Sequence, residues 1–165
     1  MTSDGAPPGA EDAEGAAVPH VAIVAAHGDF AAGLVSAVAQ ITGRGELLVP
    51  LSNAGCSPAD IEQRLRTAAA EPSVRAVFTD LPAGSCTIAA RRLLRDRPDL
   101  LLVTGVNLPT LVDFVCRVTP DASADGVRPV LDAAAERGRS ALGIVAAPSP
   151  AVAPVPAAPG ASHGG

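Results

Sequence analysis

Hydrophobic positions along the chain gather into short unbroken runs separated by stretches with helical spacing. Four runs have the length and β-branched content of strands: Val21–Ala26, Leu47–Leu51, Val74–Thr79 and Leu100–Val106. Val21–Ala26 and Leu100–Val103 are apolar at every position rather than at alternate ones, the pattern of strands covered by helices on both faces. Between the runs, polar and apolar residues alternate with helical period over Phe30–Thr42, Pro58–Ala70, Ser85–Asp96 and Pro109–Val118, with Ser57-Pro58 a typical helix start. A loop of Gly, Asp and Ser precedes a further helix, Arg128–Arg139, and a last short run, Gly143–Ala147. Strand and helix taking turns in this way predict an α/β fold, with right-handed crossovers building a doubly wound, mostly parallel sheet that carries helices on both faces.

Composition narrows the picture at the two ends. Residues 1–18 are Gly, Ala, Pro and acid without periodicity, and 148–165 are dominated by Ala and Pro. Both read as tails, the second as a polyproline-like linker, which leaves a single domain over residues 19–147. The acidic, Lys- and Arg-free N-terminal stretch is the opposite of a secretory signal, and no apolar run approaches the roughly 20 residues of a membrane span, so the expected location is the cytoplasm. A net charge of −5, no Trp or Tyr and only three Phe supply neither the basic footprint nor the stacking platforms for nucleic acid. Cys56, Cys86 and Cys116 form no CxxC and leave one over, which speaks against a disulfide framework and a zinc site.

In a doubly wound sheet, ligands bind beyond the carboxyl ends of the strands, where strand order reverses. The loops at that edge are HGDF (His27–Phe30), DLPAGS (Asp80–Ser85) and GVNLP (Gly105–Pro109). With the first strand central, the second on one side and the third on the other, His27 and Asp80 become neighbours. A carboxylate accepting from one ring nitrogen would fix the tautomer and leave the other nitrogen as a nucleophile for phosphorus. Gly28 with the start of the first helix, and Gly84 with Ser85 opening the third, would aim backbone N–H groups at an anion beside the ring. Each residue also has a plainer reading: His27 as a hydrogen-bonded loop residue, Asp80 as turn chemistry, Ser85 as a helix N-cap. Arg91, Arg92 and Arg95 read as a solvated helix face, and His20 and His163 as residues at or in the tails. With no GxGxxG, no GxxxxGK[ST] and no lysine anywhere, a P-loop is excluded.

Taken together, VAIVAAHGDFAAGL, FTDLPAGSCTIAARRLL and VTGVNLPTLVDFV resemble, in order and spacing, three signature stretches of the mannose-type enzyme IIA domain of the bacterial sugar phosphotransferase system. The resemblance runs from about Val21 to Ala147. It implies a cytoplasmic phosphocarrier in which His27 takes a phosphoryl group from the phosphohistidine of HPr and passes it to an enzyme IIB, for sugar uptake, without metal or nucleotide. It further implies that Asp80 orients the histidine, that Ser85 opens the following helix, and that two copies form a homodimer through a final strand, here Gly143–Ala147. Phe30, Leu81 and Pro82, on the active edge, are the candidates for partner contact. Two other roles are alternatives: a regulatory phospho-acceptor uncoupled from transport, which keeps the same fold, and the phosphodonor subunit of a dihydroxyacetone kinase, a related fold whose motif HGDFAAGL matches less well. The sequence departs from the family's Gly-Gly-Ser-Pro in having Ala83-Gly84-Ser85-Cys86, and alanine fits the first position only if its φ is negative.

Overall fold

The computed structural model describes residues 19–146; the two expected tails, His163 and Ala147 lie outside them. Four strands, β1 (Ala22–Ala26), β2 (Leu48–Ser52), β3 (Ala76–Thr79) and β4 (Leu101–Thr104), form one all-parallel sheet in the order β2-β1-β3-β4. Five α-helices connect or follow them: α1 (Phe30–Thr42), α2 (Pro58–Ala68), α3 (Ser85–Asp96), α4 (Leu108–Arg117) and α5 (Ala124–Ser140). The fold is the expected α/β sheet with helices on both faces.

The faces divide along the two-residue period of β1. Ala22, Val24 and Ala26 point into a core built with α1, α4 and α5, where Phe78 and Phe114 meet edge to face at 5.1 Å. Ile23 and Ala25 point the other way, into a core shared with Leu65 of α2 and Ala89, Ala90 and Leu93 of α3. Every residue of β1 is therefore buried, as its unbroken apolar run requires. The same pattern in Leu100–Val103 has a different outcome, because β4 is an edge strand and all four of its residues are only half-buried.

Several boundaries shift by one or two residues, with α2 ending at Ala68, β3 beginning at Ala76 and α4 spanning Leu108–Arg117, and three further shifts have identifiable reasons. Gly105 enters the left-handed region (φ 72°) and ends β4 at Thr104, two residues before the apolar run stops, although Val106 N–H still reaches across to Thr79 O. A 3₁₀ turn over Gly45–Leu47 holds Leu47 out of β2. Helix α5 starts four residues before Arg128, because Ser123 caps it by accepting from Gly126 N–H at 3.2 Å; Pro129, whose missing N–H suits a first turn, lies inside the helix instead. Among the described residues the final run does not pair with the sheet. Gly143–Ala146 follow α5 without secondary structure, with Ile144 100% and Val145 97% exposed.

Candidate functional site

Strand order reverses between β1 and β3, so the loops leaving these two strands face each other at the carboxyl edge. β1 delivers His27 and β3 delivers Asp80. Oδ2 of Asp80 lies 2.7 Å from Nδ1 of His27 and also accepts the His27 backbone N–H at 3.1 Å. A single carboxylate oxygen thus fixes both the position of the residue and the plane of its ring. A charged Asp80 selects the tautomer protonated at Nδ1 and leaves a lone pair on Nε2. The His27 side chain is 51% exposed and the Asp80 side chain 14%, so the ring stands open to solvent while its partner is shielded. Burial pushes the Asp80 carboxyl up, but the hydrogen bonds and charge of His27 outweigh it and hold the carboxyl below the ordinary aspartate value.

Around the ring the backbone turns sharply. Gly28 adopts φ 51° and Phe30 N–H folds back onto His27 O at 3.1 Å, which starts α1 immediately behind the histidine. On the other side, Gly84 is extended (φ 160°), and a methyl group there would stand 3.7 Å from His27 Cε1. The amino end of α3 therefore abuts the imidazole. Helices α2, α4 and α5 each have a side chain capping their first turn, from Ser57, Asn107 and Ser123, whereas α1 and α3 have none. The two helices that begin beside His27 keep their first N–H groups free of side-chain caps, the arrangement that attracts an anion.

The loop carrying Asp80 is held from below. Thr87 Oγ1 donates to Leu81 O at 2.6 Å and lies 2.7 Å from Thr79 Oγ1, and both threonines are buried. Among the described residues no non-glycine residue has a positive φ, so Ala83 meets the condition for replacing the family's glycine. Cys86 takes the place of the usual proline and is buried; burial, and then the charge of Asp80, push its thiol up, which keeps it in the unreactive protonated form.

Asp80 and Gly84 lie against His27, with Gly28 and Ser85 next to them in the chain, and Phe30, Leu81 and Pro82 are exposed at the same edge. The third loop does not join them chemically: Asn107 accepts from Thr110 N–H and donates to Gly138 O, tying α4 to α5. One group, Asn53, is not singled out by the sequence pattern. Asn53, beyond β2, donates from Nδ2 to Ser85 Oγ at 3.3 Å, and the rule that selected the other carboxyl-edge loops would have found it. His20 is no tail residue, since its N–H and Nδ1 both engage Glu71, at 2.8 and 2.7 Å. Arg91, Arg92 and Arg95 are exposed, as a solvated face should be. Among the described residues no helix is long and apolar enough to cross a membrane, and no group of three or more His, Cys, Asp or Glu could hold a metal ion.

Residues 21–128 match the family model for the PTS system fructose IIA component. Among solved structures, the chain is 26% identical to phosphotransferase system component EIIA from Streptococcus agalactiae, over 72% of this chain and 93% of that one, with a TM-score of 0.63. It is also 26% identical to a putative phosphoenolpyruvate-dependent sugar phosphotransferase system permease from Klebsiella pneumoniae, covering 78% and 92%, again with a TM-score of 0.63. The mannose/sorbose specific IIA subunit from Enterococcus faecalis shares the fold at 18% identity, covering 79% and 98%, with a TM-score of 0.66. No curated protein matches the sequence.

Proposed function

The chain belongs to the mannose/fructose-type IIA components of the sugar phosphotransferase system, a family of phosphocarriers, and on that footing we propose that His27 is its phosphoacceptor. The observation that carries this reading is the Asp80-oriented imidazole standing against the uncapped amino end of α3.

Phospho-HPr is the donor in this reading. The Nε2 lone pair of His27 attacks phosphorus in line, forming a new P–N bond as the donor's P–N bond breaks and its electron pair returns to the donor imidazole. Nδ1 keeps its proton throughout, and Asp80 balances the positive charge that develops on the ring. N–H groups at the start of α3, with the Ser85 hydroxyl, receive the phosphoryl oxygens, and Gly28 allows the chain to approach closely. Because one P–N bond replaces another, the step runs in either direction, and an enzyme IIB takes the group onward for sugar uptake. Phe30, Leu81 and Pro82 form the apolar rim on which both partners dock in turn. Residues 19–147 constitute the carrier domain, acting in the cytoplasm.

A homodimer completes the proposal. The free edge of β4 flanks a groove of about 660 Å³ that α5 closes on its other side, and the apolar Ile144 and Val145 emerge just beyond α5. In the dimer, Gly143–Ala147 of one copy covers that edge in the other, removing an exposed strand edge and an exposed apolar run together.

The deciding experiment is phosphotransfer from phosphoenolpyruvate through enzyme I and HPr, with labelled phosphate. The intact chain is expected to take up one acid-labile phosphoryl group per subunit and His27→Ala none. Labelling of the alanine variant at the wild-type level would overturn the assignment.

A further inference from the structure

A second polar side chain reaches the carboxyl edge from a strand that takes no part in the His27–Asp80 pair. β2 runs alongside β1 with Ser52 opposite Ala26, and the N–H of the next residue, Asn53, donates to Ala26 O at 3.1 Å. Asn53 thus lies beside the position from which His27 departs. Its carbonyl accepts from Cys56 N–H at 3.1 Å, closing a turn in which Gly55 adopts φ 68°. Backbone bonds hold Asn53 on both sides, and its Nδ2 reaches Ser85 Oγ at 3.3 Å.

We infer that Asn53 is a positioning residue that sets the direction of the Ser85 hydroxyl, so that Ser85 donates its proton to the anion held at His27. The inference rests on the phosphocarrier reading above. A hydroxyl has one proton and two lone pairs. A phosphoryl oxygen only accepts, so Ser85 assists the transfer only while its proton is unspent. An amide N–H₂ occupies a lone pair and leaves the proton free, whereas an amide oxygen would claim the proton. Ser85 is the first residue of α3, where no side chain caps the helix, so its hydroxyl and the neighbouring backbone N–H groups present donors to the same space. β2 therefore supplies the site with a group that need not touch the phosphoryl group itself.

The test compares rates of phosphoryl transfer from phospho-HPr to the full chain and to Asn53→Ala, Asn53→Asp, Ser85→Ala and the Asn53→Ala/Ser85→Ala double variant, with unfolding midpoints measured alongside. Asn53→Ala is expected to slow transfer about fivefold, on the scale of one neutral hydrogen bond. Asn53→Asp should slow it by roughly fiftyfold or more, because the carboxylate takes the Ser85 proton and places a negative charge beside the incoming phosphoryl group. In the Ser85→Ala background, Asn53→Ala should change the rate by less than about twofold, a non-additivity that a merely structural role would not produce. Wild-type transfer by Asn53→Asp would mean that the amide oxygen faces Ser85 and would overturn the inference. So would an undiminished effect of Asn53→Ala without Ser85, and this arm decides alone if the aspartate variant does not fold. A wild-type chain that accepts no phosphate would instead overturn the phosphocarrier reading, and this inference with it.

Discussion

Two histidines of this chain are gripped by a carboxylate in nearly the same way, at opposite ends of β1. His20 gives its backbone N–H and Nδ1 to Glu71 at the amino edge of the sheet, and His27 gives the same two groups to Asp80 at the carboxyl edge. The difference lies in what surrounds each pair. At the carboxyl edge α1 and α3 begin, presenting N–H groups, with Gly84 leaving room beside the ring. At the amino edge helices end. Glu71 follows the end of α2, where the Ala69 carbonyl accepts from Arg97, and the exposed partial charge of such an end is negative. A histidine–carboxylate pair is therefore a device for holding an imidazole. Whether the held ring has anything to do depends on which helix ends it meets.

The strongest way to break this comparison is to remove each ring. His27→Ala is expected to abolish phosphoryl uptake, whereas His20→Ala should transfer within about twofold of wild type and lose about 1 kcal/mol of stability, read from urea unfolding. Loss of transfer in the His20 variant at unchanged stability would dissolve the distinction. Next in size, Asp80→Asn keeps the shape but removes the charge that selects the tautomer and balances the ring. It should slow transfer by roughly a hundredfold, by analogy with other carboxylates that orient a functional imidazole, while Glu71→Gln leaves the rate unchanged.

Backbone comes next. Gly28→Ala forces an alanine into the left-handed region at a cost of about 1 kcal/mol, visible as a lowered unfolding midpoint. Gly84→Ala meets only ordinary contacts and should leave stability unchanged, but its methyl group stands 3.7 Å from His27 Cε1 and is expected to slow transfer a few-fold. The smallest effect is shared by the two edges. For Glu71, as for Asp80, burial pushes the carboxyl up and the histidine hydrogen bonds outweigh it, so both lie below their ordinary values when folded. The unfolded chain then binds protons first as pH falls. Their stabilisation is intact above about pH 5 and is lost as pH drops through the folded values, so Glu71→Gln and Asp80→Asn should each flatten the acid limb of a stability profile by less than about 1 kcal/mol, given their exposure.

What the sequence made legible follows from the range of the interactions involved. Helices α1 and α3 occupy the ranges their periodicity predicts, because local signals bound them: Gly28 and Asp29 before one, Gly84 before the other. The sequence pattern begins α5 at Arg128, whereas the Ser123 cap starts it at Ala124, inside the stretch that reads as a loop of Gly, Asp and Ser. Leu100–Val103 read as fully covered because composition does not reveal that a strand lies at an edge. The His27–Asp80 pair could be anticipated, 53 residues apart, since sheet topology brings the ends of neighbouring strands together. His20 and Glu71 are 51 residues apart, and no comparable rule marks the amino edge as a place where polar partners meet.

The threonine clasp beneath the Asp80 loop has a kinetic meaning. With Thr79 and Thr87 fastening the chain at Leu81, the loop has little conformational freedom left to surrender when another protein arrives. A relay must release as readily as it receives. With partners docking at this edge as proposed, a loop so fastened would cost an incoming donor and a departing acceptor the same small ordering, so that neither direction of traffic is favoured by the carrier and the flow is set by the partners at either end.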